Sequence, residues 1–323
     1  MSSLSQVLEL AAIARDSRYT ATIDICAFTV LIYDYLITFS EEIELIWSMP
    51  FRAPAKTLFL LTRYLPFVDM TICMTNHFMQ HLTAESCRIS VHTMGWLIIS
   101  GLLFSEAILT LRTWAVWDRS RVIGAGLAIW YTITFVPIFT IMGLFLKSMT
   151  FTNPELPNCL PVADRPLDSA AWILLVVLET GISIPMVVKA VQKCRLPFSS
   201  CLPTRNISCD MPDKLQGGSS LYRIVYLDGS LYYLYLLVLS TLNIICILRF
   251  PEGTKRILTN FERVIHSVLT ERILLSIRSL AKKGAARQGL QGGRPDRLYV
   301  DGFDTDAGSR SSGAANSQSG DEM

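Results

Sequence analysis

The sequence predicts an all-α membrane protein, a bundle of helices that crosses the bilayer several times. Three observations lead to this fold class: the 323-residue chain is 51% hydrophobic, it is only 17% charged, and its mean hydropathy is +0.39. A soluble globular protein carries about 25% charged residues. The composition therefore excludes a disordered chain and a small disulfide scaffold, and a net charge of +2 gives no sign of a nucleic-acid partner.

Six segments of the chain are long and apolar enough to cross a bilayer core, which requires about 20 residues per helix. The second of them begins at Pro54, and a proline is tolerated there because the first turn of a helix leaves its N–H groups unpaired. The predicted spans are residues 20–39, 54–78, 92–115, 121–146, 169–189 and 222–248.

Residues 254–278 have a helical pattern but carry several charged side chains, and two interpretations of them are open. The helix could lie on the membrane surface as an amphipathic segment. It could instead form a seventh span, provided that Glu262, Arg263 and His266 line the interior of the bundle. With six spans, the basic stretch 272–297 would lie outside, against the positive-inside rule. We therefore prefer seven spans and keep six spans plus an interfacial helix as the alternative.

Lysine and arginine counts in the loops predict the orientation, because cytosolic loops carry an excess of these residues. The N-terminus, second loop and fourth loop hold five of them, whereas the first, third and fifth loops hold eleven. We expect residues 1–19 outside, a transmembrane bundle over 20–280 and a disordered cytosolic tail over 281–323, in the plasma membrane or a secretory-pathway membrane. The basic loop 190–221 and the tail are the surfaces available to a cytosolic protein partner.

Two of the eight cysteines are candidates for a disulfide bond. Cys87 precedes the third span and Cys159 lies in the loop after the fourth, so both fall on the predicted outer side, where oxidation is possible. A bridge between them would tie the second outer loop to the top of the third helix.

Charged side chains within the spans are candidate functional residues, because a charge at membrane depth is costly and usually faces the bundle interior. The helical rise places five of them, from five helices, in one layer of the inner half of the membrane: Asp34, Arg63, Glu106, Glu179 and Asp228. Two further acids, Asp24 and Asp69, lie at similar depth in the outer half.

The inner layer predicts a buried polar network. Arg63 would pair with Asp34 or Glu106, because one guanidinium can hold two carboxylates. The remaining acids would be protonated or bind a cation, so the network could serve as a proton relay, an ion site or a two-state switch. The alternative is structural, with pairs that only hold helices together and fix their register.

The third helix ends in LRTWAVWDRSR, residues 111–121, which also has two interpretations. Arg112, Asp118, Arg119 and Arg121 would form an ionic cluster at the cytosolic face, in the position where receptors contact a partner protein. The alternative is positive-inside anchoring of the helix end, with its tryptophans as an aromatic belt.

A metal site has only weak support in the sequence. His77, His81 and Glu85 are four residues apart, so they would share one helix face, as metal ligands require. The helix is expected to end near residue 80, however, which favours a hydrated loop.

Motifs of enzymes and nucleotide-binding proteins are absent from the sequence. It holds no GxGxxG after a strand, no Walker loop, no HExxH and no GxSxG. No extramembrane segment is long and apolar enough for a catalytic domain. We therefore expect no enzymatic activity and no cofactor.

The runs LIYDYLITFSEEIELIW (31–47) and LFLLTRYLPFVD (58–69) form a long motif near the N-terminus. Together they resemble the LLxYDYLLTxxxEVxxIW…NRYLPFVD signature of a fungal, chiefly basidiomycete, family of multi-pass membrane proteins of unknown function. Later segments are similar too, so the resemblance covers roughly residues 15–280. The chain departs from the family pattern at Asp24, at Thr62 and in extra length over 199–220.

The resemblance implies a membrane location and a seven-helix, receptor-like topology, but no reaction. A receptor-like or sensor role is the preferred expectation. A transporter or ion pathway that uses the acidic layer and a six-span membrane scaffold are the alternatives.

Overall fold

The computed structural model describes residues 2–50, 53–79, 83–149, 165–195, 229–251 and 254–290. These residues form helices and no strand. The seven α-helices of this part of the chain are α1 (Ser2–Glu42), α2 (Pro54–Phe78), α3 (Ala84–Val116), α4 (Arg121–Ser148), α5 (Arg165–Arg195), α6 (Gly229–Arg249) and α7 (Thr259–Leu290). A π-helical turn, Ile43–Trp47, continues α1. The predicted fold class, an all-α polytopic bundle, is confirmed.

Six helices are long and apolar enough to cross a membrane. They comprise Arg18–Trp47, Pro54–Phe78, Ala84–Val116, Arg121–Ser148, Leu167–Gln192 and Ser230–Arg249. Large apolar side chains such as Ile129, Ile133 and Val136 of α4 are exposed, whereas Arg63 and Glu106 are buried. This distribution suits hydrocarbon as the surrounding solvent, and the protein is a multi-pass integral membrane protein.

Local sequence determines where the helices begin and how they connect. α3 follows Thr83, whose side-chain oxygen accepts a hydrogen bond from the backbone N–H of Ser86 at 3.2 Å and so caps the helix. The tight turn from α3 to α4 contains Asp118 and Arg119, with φ angles of 52° and 55°. This left-handed conformation costs roughly 1–2 kcal/mol per residue without glycine, so the packing of the two helices maintains it.

Helix α7 lies inside the bundle, in contact with α1, α2, α3 and α6. It runs parallel to α1, as three side-chain pairs show: Asp24 with Asn260, Asp34 with Arg272, and Glu44 with Lys282. Asp24 and Glu44 are 20 residues apart. At 1.5 Å per residue, α7 therefore accompanies α1 over about 30 Å, which is the thickness of a bilayer core.

Helix α7 does not have the surface position that the six-span alternative predicts for it. An interfacial helix would turn its charged side chains to water, but Glu262, Arg263 and His266 are fully buried. They lower the hydropathy of α7, which is why it is absent from the six apolar candidates. Their burial is the arrangement expected when a polar stripe faces the interior of a membrane bundle.

The ends of the helices differ from the predicted spans at several points. Helix α7 continues to Leu290, so the first residues of the segment 281–323 are helical rather than disordered. Their alanines, lysines and arginines are strong helix formers, which explains the extension. Helix α1 begins at Ser2 and includes most of the predicted outer segment 1–19. The loop 190–221 beyond Arg195, and the tail beyond Leu290, lie outside the described residues.

Two glycines allow neighbouring helices to approach closely. A Cβ on Gly101 of α3 would overlap the guanidinium of Arg263 in α7. A Cβ on Gly181 of α5 would overlap the indole ring of Trp130 in α4. Small residues at such points are typical of helix packing in membranes.

Candidate functional site

The polar residues of α7 recur every three or four positions, so they form one stripe along the helix. The buried members of the stripe are Glu262, Arg263, His266, Ser267, Thr270 and Glu271. They meet polar side chains of α1, α2, α3, α5 and α6. Helix α7 is therefore the common partner of three side-chain clusters.

The central acidic site consists of Glu106 of α3, Glu179 of α5, and Glu262 and His266 of α7. Nε2 of His266 lies 2.9 Å from Oε1 of Glu179, and Nδ1 of His266 lies 3.5 Å from Oε1 of Glu106. All four residues are at most 4% exposed. The site thus brings three carboxyl groups to one buried imidazole.

Two side chains of α6 donate hydrogen bonds to the central acidic site. Ser240 Oγ donates to Oε1 of Glu179 at 2.6 Å, and Asn243 Nδ2 donates to Oε2 of Glu262 at 2.5 Å. Among the described residues, both carboxyl oxygens of Glu106, Oε2 of Glu179 and Oε1 of Glu262 have no hydrogen-bond partner. The site therefore has acceptor atoms to spare.

The charge of the central acidic site is unbalanced. If every group were ionised, three carboxylates would outweigh one imidazolium by two negative charges, and each buried ion without compensation costs several kcal/mol. One carboxylate oxygen of Glu106, one of Glu179 and a ring nitrogen of His266 all lie within 4.8 Å of one another. The arrangement can hold protons on its carboxyl groups or bind a cation between them.

On one side of the central acidic site, Glu106, Glu179 and Tyr233 line a narrow gap that has no room for a water molecule. The Tyr233 hydroxyl donates to the carbonyl oxygen of Leu109 at 3.0 Å, and the Arg112 guanidinium carbon lies 5.9 Å from the centroid of the Tyr233 ring. Polar groups therefore continue from Glu106 toward the last turns of α3.

The arginine cluster consists of Arg63 of α2, Thr38 and Glu42 of α1, and Ser267 and Glu271 of α7. Arg63 lies 2.6 Å from Glu42 through Nε and 2.7 Å from Glu271 through Nη1, and Nη2 donates to Thr38 Oγ1 at 2.8 Å. Ser267 Oγ lies 2.6 Å from Oε1 of Glu271. Because Arg63 of α2 faces acids of both α1 and α7, the cluster joins three helices.

The single inner layer expected from the sequence is divided in the structure. Arg63 pairs with Glu42 and Glu271 rather than with Asp34 or Glu106. Asp34 instead forms an ion pair with Arg272 of α7 at 2.6 Å. The prediction of the partners was wrong because α7 enters the bundle and supplies Glu271 and Arg272, and because α1 continues beyond the predicted first span to Glu42. Glu106 and Glu179 do come together, whereas Asp228 lies outside the described residues.

The two acids of the outer half also meet α7. Asp69 lies 3.4 Å from Nε of Arg263. Asp24 forms the end cluster with Cys73 and His77 of α2 and Asn260 of α7, close to the end of the bundle where α2 ends and α7 begins.

The predicted ionic cluster at residues 112–121 does not form one group. Arg112 is buried beside the Tyr233 ring, whereas Asp118 pairs with Lys189 of α5 at 3.5 Å and is exposed, as are Arg119 and Arg121. The left-handed turn at Asp118 and Arg119 explains the separation, because it directs the chain away from the axis of α3.

The predicted metal ligands are on separate elements. Helix α2 ends at Phe78, so His77 does not share a helix face with Glu85, which pairs with Arg88 of its own helix at 2.6 Å. His81 lies outside the described residues. His77 instead contacts Asp24, 2.8 Å from its Oδ2.

Only one of the two cysteines of the predicted disulfide lies within the described residues. Cys87 is buried in the first turn of α3, and Cys159 lies outside the described part of the chain. The bridge between them stays a prediction.

Several residues of the clusters were absent from the sequence-based set of sites. Glu42 lies beyond the predicted end of the first span, and Glu271 belongs to the helix whose placement was open. Ser240, Asn243 and Asn260 are uncharged, so the presence of a charge within a span does not identify them. The three- and four-residue spacing of polar side chains from 260 to 271 is the signal that identifies α7 as a helix with a polar inner face.

Comparison with known proteins gives one match. Residues 23–68 match the model of a family of unknown function, DUF6533. The matched segment includes Asp34, Glu42 and Arg63 but ends before Cys73 and does not reach α7. No curated protein matches the chain.

Proposed function

We propose that the protein is a seven-helix membrane sensor of receptor-like layout, without a catalytic domain. Its state would depend on the protons or cations held at the central acidic site. The observation that carries the proposal is the meeting of three carboxyl groups and one imidazole between α3, α5 and α7, with carboxyl oxygens to spare. A change of charge at this point alters the contacts of three helices at once.

A route from the central acidic site to one end of the bundle supports the proposal. Helix α3 carries Glu106 and ends at Val116, and the indole N–H of the next residue, Trp117, donates to the carbonyl oxygen of Pro185 in α5 at 3.2 Å. Nζ of Lys189 lies 4.7 Å from the centroid of the Trp117 ring. A displacement of α3 against α5 would therefore change the contacts at this end. Helix α5 leads from here into the loop 190–221, which we propose as the surface for a cytosolic protein partner.

The proposed orientation has the N-terminus outside and the end of α7 in the cytosol. It is supported by basic residues of four helices at one end of the bundle, namely Lys56, Arg121, Lys189 and Lys282. The proposal also keeps the Cys87–Cys159 bridge on the outer side. The resemblance to fungal membrane proteins favours a fungal source.

The test measures the conformation of the α3–α4 turn in the full-length protein reconstituted in lipid nanodiscs. Hydrogen exchange of residues 112–124 is followed across pH and in the presence of different cations, after correction for the intrinsic exchange rate. We expect protection of this segment to change with pH or with a cation in the wild type. The change should be lost in Glu106→Gln, which replaces the carboxyl group by an amide of the same shape.

A matched variant controls for the substitution itself. Glu41→Gln makes the same chemical change at an exposed position of α1 and should respond as the wild type does. A response that Glu106→Gln retains in full would contradict the proposal.

Transport is the second candidate, because spare carboxyl oxygens inside a membrane protein also suit a proton or ion pathway. Proteoliposomes with a trapped pH indicator distinguish the two functions. A sensor gives a conformational response without net flux. A transporter gives flux that disappears in Glu106→Gln, and a scaffold gives neither signal.

A further inference from the structure

We propose that Asp24, Cys73 and His77 bind a divalent cation of the zinc type, with Asn260 as a fourth donor. This site is the end cluster, which is separate from the central acidic site and does not depend on the sensor proposal. It combines a carboxylate, a sulfur atom and an imidazole nitrogen.

The geometry brings the donor atoms to one point. Oδ2 of Asp24 lies 2.8 Å from Nε2 of His77 and 3.4 Å from Sγ of Cys73. One donor atom from each of these three residues lies within 4.8 Å of the other two. Bonds of about 2.0–2.3 Å to one zinc ion require such separations, so small side-chain movements would admit the ion.

The helices explain why these residues converge. Cys73 and His77 are four residues apart on α2, so they lie one turn apart on the same face. Asp24 approaches from α1 and Asn260 from the first turn of α7. Nδ2 of Asn260 lies 3.0 Å from Oδ1 of Asp24 and 3.2 Å from Sγ of Cys73. Rotation of the amide would present its oxygen to a bound ion.

The chemistry of the donors selects the ion. Thiolate and imidazole are ligands that favour zinc, whereas magnesium and calcium prefer oxygen donors. Binding releases the thiol proton of Cys73 to water, and the thiolate and the Asp24 carboxylate then neutralise the two charges of the ion. The neutral complex is well suited to a site in which Asp24 is 1% and Cys73 3% exposed.

Access and the neighbouring charges also fit a metal site. The His77 side chain is 19% exposed and precedes the last residue of α2, so an ion can enter from the end of the bundle. Asp69 lies one turn before Cys73, but its carboxylate faces Arg263 at 3.4 Å and is already paired. The central acidic site is buried and its candidate ligands, Glu106, Glu179 and His266, include no sulfur donor, so it fits zinc less well.

The experiment uses the full-length protein in detergent, freed of metal with a chelator and then titrated with Co²⁺ or Zn²⁺. We expect one equivalent of metal per chain and a thiolate-to-cobalt charge-transfer band. Cys73→Ser should abolish the band. Asp24→Asn and His77→Gln should weaken binding by more than the roughly 10–100-fold that loss of an outer-shell partner causes.

Two control variants distinguish Cys73 from four of the seven other cysteines of the chain. Cys246→Ser removes a buried cysteine of α6 that is far along the chain and should keep the band. A triple variant, Cys194→Ser with Cys201→Ser and Cys209→Ser, removes the loop cysteines and should also keep it. A wild-type protein without the band, or a band lost only in the triple variant, would overturn the proposal. If Cys73→Ser elutes as aggregate, unchanged cobalt affinity in a folded Asp24→Asn protein overturns it equally.

Discussion

Arg63 illustrates how one buried side chain determines the contacts of three helices. Its guanidinium is 1% exposed and faces Glu42 of α1 and Glu271 of α7, and its carbon lies 5.0 Å from the centroid of the Tyr35 ring. Tyr64 and Trp47 donate to the other oxygen of Glu42, each at 3.0 Å. Glu42 thus accepts two hydrogen bonds at one oxygen and faces the guanidinium of Arg63 with the other, so both of its oxygens contact a polar partner and the cluster favours stability over a change of state.

The arginine cluster predicts a large loss of stability in Arg63→Ala. Removing the cation leaves two buried carboxylates without a counterion, which typically costs about 3–5 kcal/mol. We expect a marked fall in the thermal unfolding temperature in detergent and a loss of surface expression. Arg88→Ala is the matched control, because Arg88 pairs with Glu85 on the surface of α3 and should tolerate the change. An Arg63→Ala protein that unfolds at the wild-type temperature would refute this role.

Helices α4 and α5 form a contact that depends on shape instead of charge. Gly181 allows the Trp130 ring to lie against the backbone of α5, where the indole N–H donates to the carbonyl oxygen of Leu178 at 3.4 Å. Ile182 and Phe135 belong to the large apolar core that extends between these helices. Close packing of this kind provides much of the attraction between helices in lipid, where the hydrophobic effect is absent.

The contact between α4 and α5 predicts that Gly181→Ala destabilises the protein by about 1–3 kcal/mol, as overpacking commonly does. Thermal unfolding in detergent measures the effect. Combination with Trp130→Leu should recover part of the loss, because the smaller side chain makes room for the methyl group. Gly126→Ala is the control on α4, since an added Cβ there meets nothing within 4 Å. Equal effects of the two alanines would show that helix packing is not responsible.

The elements that could be predicted best from the sequence are the helices defined by hydropathy. The predicted second span, 54–78, coincides with α2, because Pro54 and a continuous apolar run define it. The charges at Glu106 and Glu179 were also identified, since an acid in an apolar helix is easily recognised. The partners were not, because pairing depends on which helix faces which. Neither the helical rise per residue nor the hydropathy of the chain shows which side chains Glu271 and His266 face.

At the scale of the whole molecule, the helices alternate in direction, and α7 runs parallel to α1, α3 and α5. The pairs along α1 and α7 extend from Asp24 with Asn260 to Glu44 with Lys282. Basic residues lie at both ends of the bundle: Lys56, Arg121, Lys189 and Lys282 at one end, and Arg88 and Lys147, with Glu85, at the other.

The parallel course of α1 and α7 predicts that the two termini lie on opposite sides of the membrane. A reporter fused after Met323, a tag before Ser2 and protease digestion of sealed vesicles would measure the two sides independently. We expect a protected N-terminal tag and an accessible C-terminal reporter in vesicles with the cytosolic face outward. Both termini on one side would mean an even number of spans and would remove α7 from the membrane.

The polar inner face of α7 also has a consequence for biosynthesis. A charged residue at the centre of a helix raises the cost of insertion by the translocon by about 2.5–3.5 kcal/mol, and Glu262, Arg263 and Glu271 all belong to this helix. As the proposed seventh span, helix α7 would be the last of the described helices to leave the ribosome, after the helices that carry Asp69, Arg63 and Glu106. Those earlier helices would provide the partners that make its entry favourable, so the order of synthesis would match the order in which the charges need one another.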